Sequence, residues 1–234
     1  MFHNSLKTGL SIILLITALI PTAAQSASSG IDTIYGSDPL LFNGRQYIYQ
    51  IPPGSSGNPF LYGPEFHKGW ITIADRQYQH LDLNYDIVNQ VLLLKYIDQA
   101  GYTIVIEVSE SWLTSFGIGT SEFEFIRQNN VPFIYQVIQS ENVKVRYHWQ
   151  KELKLENVMT SAAYAFIGPI KTSLLVIHGT EYEYKKNRDF VKAFDPAIQI
   201  RISKYLKNNK IKVNKASDTS VRALVNFCNT LINQ

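Results

Sequence analysis

Cysteine is almost missing from this chain: Cys228 is the only one in 234 residues. No intramolecular disulfide can form, so stability has to come from packing. The common local signatures of catalysis are missing too. There is no nucleophile elbow, HExxH, CxxC or phosphate loop. "FGIGTSEF" carries Gly117 and Gly119, but Glu122 stands where a dinucleotide loop needs its third glycine. "GSSG" at 54–57 reads as a loop. "DLNYD" (Asp82, Asn84, Asp86) opens like a calcium loop and then fails. Ile87 sits where the sharp turn needs glycine, and Leu93 where the bidentate glutamate belongs. On a strand these three side chains are expected to share the solvent face. His67, His148 and His178 have no metal-ligand spacing. The sequence therefore names no catalytic residue, no metal ligand and no cofactor.

Long apolar runs are scarce as well. "LSIILLITALI" (Leu10–Ile20) is eleven residues, short of the roughly 20 that a membrane-spanning helix needs. It follows Lys7 and precedes the small residues "PTAAQSA", which is the pattern of a secretory signal peptide. Thr22 and Ala24 fit the minus-three and minus-one positions. Residues 1–24 are expected to be the signal peptide and 25–32 a flexible lead-in. With no cysteine after the apolar run, a lipoprotein anchor has no attachment point. The expected location is the periplasm, the outer membrane surface or outside the cell.

What the chain does have is an uneven charge distribution. Gln25–Tyr184 holds ten basic and sixteen acidic residues, while Lys185–Lys215 holds ten basic residues against Asp189 and Asp195. An acidic body (−6) is thus followed by a basic segment (+8). The densest part, "KYLKNNKIKVNK" (Lys204–Lys215), contains five lysines and no acid.

Between about Thr33 and Lys186 the hydrophobic period is two. Fourteen tyrosines, twelve phenylalanines and three tryptophans favour β-structure. "KGWITIADRQYQHLDLNYDI" reads as a hairpin. A three-residue loop, Asp75-Arg76-Gln77, keeps its faces unmixed and sets Thr72 against His80 and Trp70 against Asp82. "QVLLLKYIDQAGYTIVIEVS" turns at Asp98–Gly101, and its continuous apolar arms suit central strands covered on both faces. "NVKVRYHWQKELKLENV" alternates strictly, with Lys144, Arg146, His148 and Lys154 opposite Val143, Val145, Tyr147 and Trp149. "KTSLLVIHGTEYEYKK" turns near Gly179. "QIPPGSSGNPFLYGPE" is too irregular for ladder pairing.

After Lys186 the period becomes 3.6. Asn187 is expected to cap a short helix with Phe190, Val191 and Phe194. Asp195 before Pro196 is an N-cap signal for a helix to about Leu206. Lys210–Val213 looks extended. Ser217 or Asp218 starts a last helix with Val221, Leu224, Val225, Cys228, Leu231 and Ile232 on one stripe, which buries Cys228. The expected fold is α+β and mainly β. It comprises an antiparallel sandwich or partly open barrel at 33–186, then two or three helices at 187–234 packed on that body.

The strand ending "LDLNYDI", the following "VLLL" strand and the basic helical tail "RDFVKAF…ISKYLKNNKIKVNKASD" resemble a group of exported Bacteroidota proteins. That group has no established activity. The resemblance implies an exported protein with a β-rich body and C-terminal helices, and transfers no catalytic residue.

Two surfaces could carry function. Lys204, Lys207, Lys210 and Lys212 offer a basic face to an envelope protein, an anionic lipid or an anionic polysaccharide, where a basic residue near a charged surface contributes about 1 kcal/mol. Trp70, Thr72, His80 and Asp82 could line a polar groove, since an indole stacks on a sugar ring and paired His and Asp bind hydroxyls. The leading expectation is a non-enzymatic binding or scaffold module of the cell envelope. The alternative is an exported hydrolase or carbohydrate-binding protein using the Trp70 face. Nucleic acid is a poor partner for an exported protein with an acidic body.

Overall fold

The computed structural model describes residues 38–49, 51–158 and 161–234. The expected signal peptide, its cleavage site and the lead-in lie outside the described residues. The described residues are mainly β: one open, antiparallel eleven-stranded sheet followed by three helices. The first five strands are β1 (Arg45–Gln46), β2 (His67–Ile73), β3 (Arg76–Asp86), β4 (Val91–Ile97) and β5 (Thr103–Glu107). Next come β6 (Leu113–Ile118), β7 (Ser121–Gln128) and β8 (Val131–Gln139). The long arms β9 (Val143–Val158) and β10 (Ser161–Ile177) precede the short edge β11 (Thr180–Glu183). In space the order is β1-β5-β4-β3-β2-β6-β7-β8-β9-β10-β11. Two connections leave the meander: β1–β2, since β1 pairs with β5, and β5–β6, which carries the chain across to pair with β2.

The sheet curls strongly. β3 and β9 are five places apart in the strand order, yet Lys151 N–H donates to the Ile87 carbonyl at 3.2 Å. Gln90 Nε2 likewise donates to the Trp149 carbonyl at 2.9 Å. The irregular segment 51–66 spans the gap between these strands. Ser56 bridges Ala165 of β10, and Phe60 bridges Asp86 of β3. The expected antiparallel, mainly β body is thus one open, curled sheet whose distant strands β3 and β9 approach each other.

The strand alternation explains the core. Pairing across six strands aligns Ile71, Phe116, Phe123, Gln136, Tyr147 and Ser173 on one inward row, and all six are buried. Phe116 and Phe123 stack at 4.7 Å, with Tyr85 edge-on to both. Such aromatic pairs add about 0.5–1.5 kcal/mol beyond area burial.

The first hairpin departs from the sequence expectation. Its loop has two residues, Ala74 and Asp75, both at positive φ, and Ile73 pairs with Arg76, the geometry that suits strand twist. Such a loop would mix the faces if the ladder ran on unbroken. It does not, because β3 carries an extra residue between Tyr78 and Leu81, opposite Trp70. His80 adopts φ +59° there. This bulge resets the parity, so Tyr78 and Leu81 both face the core. A bulge has no hydrophobic-pattern signature of its own, which is why an unbroken register looked better.

β4 and β5 also differ from expectation, lying toward the edge closed by the short strand β1, which pairs with β5, rather than at the centre. Leu92, Leu93 and Leu94 are nevertheless all buried, because the segment before β2 packs over this end. The same cover removes Asn84 and Asp86 from solvent. Both are fully buried, where a solvent-facing strand was expected.

The helices are α1 (Asn187–Lys192), α2 (Pro196–Asn208) and α3 (Asp218–Ile232). Asp195 caps α2 by accepting from Ala197 N–H at 2.8 Å, and Ser217 caps α3. At α1 the N-cap is Lys186, not Asn187. Asn187 is used further along the chain, as described below. Phe190, Phe194, Ile202, Leu206, Val221, Leu224, Val225, Cys228 and Leu231 bury against Val143, Val145, Tyr147 and Leu175. No described helix is long and apolar enough to cross a membrane.

Candidate functional site

The basic segment gathers its lysines through the backbone between α2 and α3. The expected extended stretch is a loop of turns instead. Lys210 takes a left-handed conformation (φ +54°), ending α2, and Ile211 N–H bonds back to the Leu206 carbonyl at 2.9 Å. Ile211 and Val213 point inward and are buried, so Lys210 and Lys212 point out. Asn187 clamps this loop from α1. Its Nδ2 donates to the Ile211 carbonyl at 2.7 Å, and its Oδ1 accepts from Val213 N–H at 2.9 Å. A second turn, Lys215 N–H to the Lys212 carbonyl at 2.9 Å, brings Lys215 back beside Lys212.

The result is a pocket of about 290 Å³ lined by Asn209, Lys210, Ile211, Lys212, Lys215, Ala216, Ser217 and Ser220. Three lysines are among its lining residues, and no Asp or Glu is. Among the described residues the ion pairs run Arg45–Glu107, Lys68–Asp82, Arg76–Asp38, Lys144–Glu124, Arg146–Glu124, Arg146–Glu181, Lys154–Glu152, Lys185–Glu183 and Arg188–Asp189. Lys204, Lys207, Lys210, Lys212 and Lys215 are in none of them. The helices are held to the sheet mainly by apolar burial, without ion pairs from these five lysines. Lys204 and Lys207 sit on the exposed side of α2, outside the pocket. Lys215 joins Lys210 and Lys212 in it, because the turn places residues 212 and 215 together.

The Trp70 face is arranged differently. Trp70 is half-buried, and its indole lies over Gly117: a Cβ added there would fall 2.2 Å from Trp70 Nε1. Asp82 pairs with Lys68 at 3.0 Å and Lys95 in the ladder, rather than facing Trp70. Thr72 opposes Gln77, and His80 stands exposed on the bulge. The four residues share a neighbourhood without converging. No group of three or more His, Cys, Asp or Glu suited to a metal ion exists among the described residues.

Two polar arrangements had no sequence signal. Asp86 accepts from Val88 N–H and Asn89 N–H through Oδ1 (2.9 Å each). Its Oδ2 accepts from Asn89 Nδ2 (2.7 Å) and Tyr47 Oη (2.9 Å). Desolvation, with the neighbouring Asp86 charge, pushes the Tyr47 phenol well above its ordinary value. On the helix side, Trp149 Nε1 donates to Gln136 Oε1 at 2.7 Å, and Gln136 Nε2 to Asp218 Oδ2 at 2.6 Å. This chain ties the start of α3 to the sheet. Lys171 Nζ lies 4.0 Å from the Tyr147 ring centroid, and desolvation lowers its pKa.

No protein family, no curated protein and no solved structure matches this chain.

Proposed function

We propose that this protein is a non-enzymatic, exported binding module of the cell envelope, holding an anionic partner at its C-terminal basic surface. The observation that carries this reading is the carboxylate-free pocket of Lys210, Lys212 and Lys215. Three lysines lining one pocket, none of them in an ion pair, raise the local potential and attract anions. The clamp by Asn187 and the inward anchors Ile211 and Val213 fix the loop, so little ordering entropy remains to oppose binding.

The Trp70 face supports a hydrolase or sugar site less well, since Asp82 is engaged by Lys68 and His80 is displaced by the bulge.

The reading is tested by salt elution from an anionic matrix. The Lys210→Glu/Lys212→Glu/Lys215→Glu variant should elute at clearly lower salt than the parent. The same charge change at Lys154, Lys185 and Lys192 is the control and should have a smaller effect. Equal shifts from the two triple variants would mean that net charge alone is responsible and would remove the pocket from the argument.

A further inference from the structure

The outer face of α2 narrows the class of anionic partner, and this inference rests on the reading above. Pro196, Ala197 and Ile200 are all exposed at its N-terminal end. Ile200 is 79% exposed, the highest value among the described large hydrophobic residues. Lys204 and Lys207 follow at helical spacing, in line with Ile200 on the same face, and the Lys210–Lys212–Lys215 pocket follows them. The thirteen residues of α2, PAIQIRISKYLKN, contain no acidic side chain. The inward face of α2 is already used, since Ile202 and Leu206 are buried in the core.

We infer that this face rests on the surface of an anionic phospholipid bilayer. The Pro196–Ala197–Ile200 foot would enter the headgroup–acyl boundary, and Lys204, Lys207 and the pocket would engage the phosphates. The charge alone would suit any polyanion. The exposed isoleucine at the head of a lysine row distinguishes a bilayer, which has an apolar layer beneath its phosphates, from a polysaccharide, which has none. Long lysine side chains accommodate both environments, their stems lying along apolar groups while the ammonium stays at the phosphate level.

The experiment uses the chain from Gln25 onward, which contains the whole compact unit Ser37–Gln234. Vesicles are phosphatidylcholine with or without phosphatidylglycerol. An environment-sensitive fluorophore is attached at Ile200→Cys, and at Ala100→Cys in the β4–β5 turn as control. Cys228 is fully buried and stays unlabelled in the folded protein.

Emission from position 200 should shift to the blue with phosphatidylglycerol vesicles only, and emission from position 100 should not move. Lys204→Gln and Lys207→Gln should each weaken vesicle binding about fivefold. Ile200→Ser should weaken it about tenfold, with circular dichroism unchanged. Vesicle binding that Ile200→Ser leaves intact would overturn the inserted foot. Binding to dextran sulfate but not to phosphatidylglycerol vesicles would overturn the bilayer assignment and leave the anionic-partner reading standing. Binding to neither would overturn both.

Discussion

The two ends of the curled sheet are covered in opposite ways. Over β8, β9 and β10 the cover is three helices, and its contact is mainly apolar, from Phe190 through Leu231. Its polar ties are confined to the two ends of α3, at Asp218 and at Asn229 and Asn233. Over β3 and β4 the cover is the irregular segment before β2, held largely by hydrogen bonds. Asn84 Nδ2 donates to the Gly63 and Glu65 carbonyls at 3.0 Å each, Lys151 Nζ to the Asn58 carbonyl at 3.0 Å, and Tyr47 Oη to Asp86 Oδ2 at 2.9 Å. A helix satisfies its own backbone and can bury through side chains alone. A segment without a period leaves backbone groups unpaired, so buried polar side chains of the sheet have to meet them.

Breaking the apolar cover should have the largest effect. Phe190→Ala removes a fully buried ring and should cost about 3–5 kcal/mol in denaturant unfolding. A loss below 1 kcal/mol would mean that α1 is not part of the cooperative core. Asp86→Ala tests the polar cover. It strands Val88 N–H, Asn89 N–H and Tyr47 Oη, and should cost about 3 kcal/mol, with hydrogen exchange rising in 51–66 before the helices open. Simultaneous opening of both covers would erase the contrast between them.

Smaller substitutions sharpen the comparison within the sheet itself. At Gly69 an added Cβ would meet the Gly117 carbonyl oxygen, part of the backbone, at 2.1 Å, whereas at Gly117 it would meet the Trp70 side chain. Gly69→Ala should therefore cost about 1–3 kcal/mol, and more than Gly117→Ala, because an indole can move and a ladder carbonyl cannot. His80→Gly relieves a left-handed residue on an exposed bulge and should shift stability by under about 1 kcal/mol. A large loss there would give the imidazole a structural part.

The smallest expected effect concerns pH. Desolvation acts to raise the Asp38 pKa, but hydrogen bonds from Leu40 N–H, Tyr78 and Arg76 outweigh it, so the carboxyl titrates below its ordinary value. The folded state favours the ionised form. Its contribution is complete above the unfolded value near about 4 and is lost as pH falls through the depressed native value. Parent and Asp38→Asn should differ by a constant amount at neutral pH and converge below it. A gap that persists unchanged into acid would mean that the carboxylate charge is not what stabilises this corner.

Much of the architecture could be read from single residues. Alternation in Val143–Trp149 gave β9 its two faces, Asp195-Pro196 gave α2 its start, and the stripe from Val221 to Leu231 gave α3 its buried side. These signals are local, because pleat, cap and helical period are each set within a few residues. The bulge at His80 was not legible, since it corrects a parity conflict that exists only once β2 and β3 are paired. Nor was the clamp by Asn187, whose partners Ile211 and Val213 are 24 and 26 residues away in sequence.

For the candidate site, the sequence by itself supplied the lysines, their lack of acidic neighbours and the apolar residues between them. The tertiary structure alone decided that Lys210, Lys212 and Lys215 line one pocket while Lys204 and Lys207 stay on the helix. It also decided that Asn84 and Asp86 are buried rather than solvent-facing. Period and charge are properties of neighbouring residues, whereas convergence and burial depend on which distant segments the closing sheet brings together.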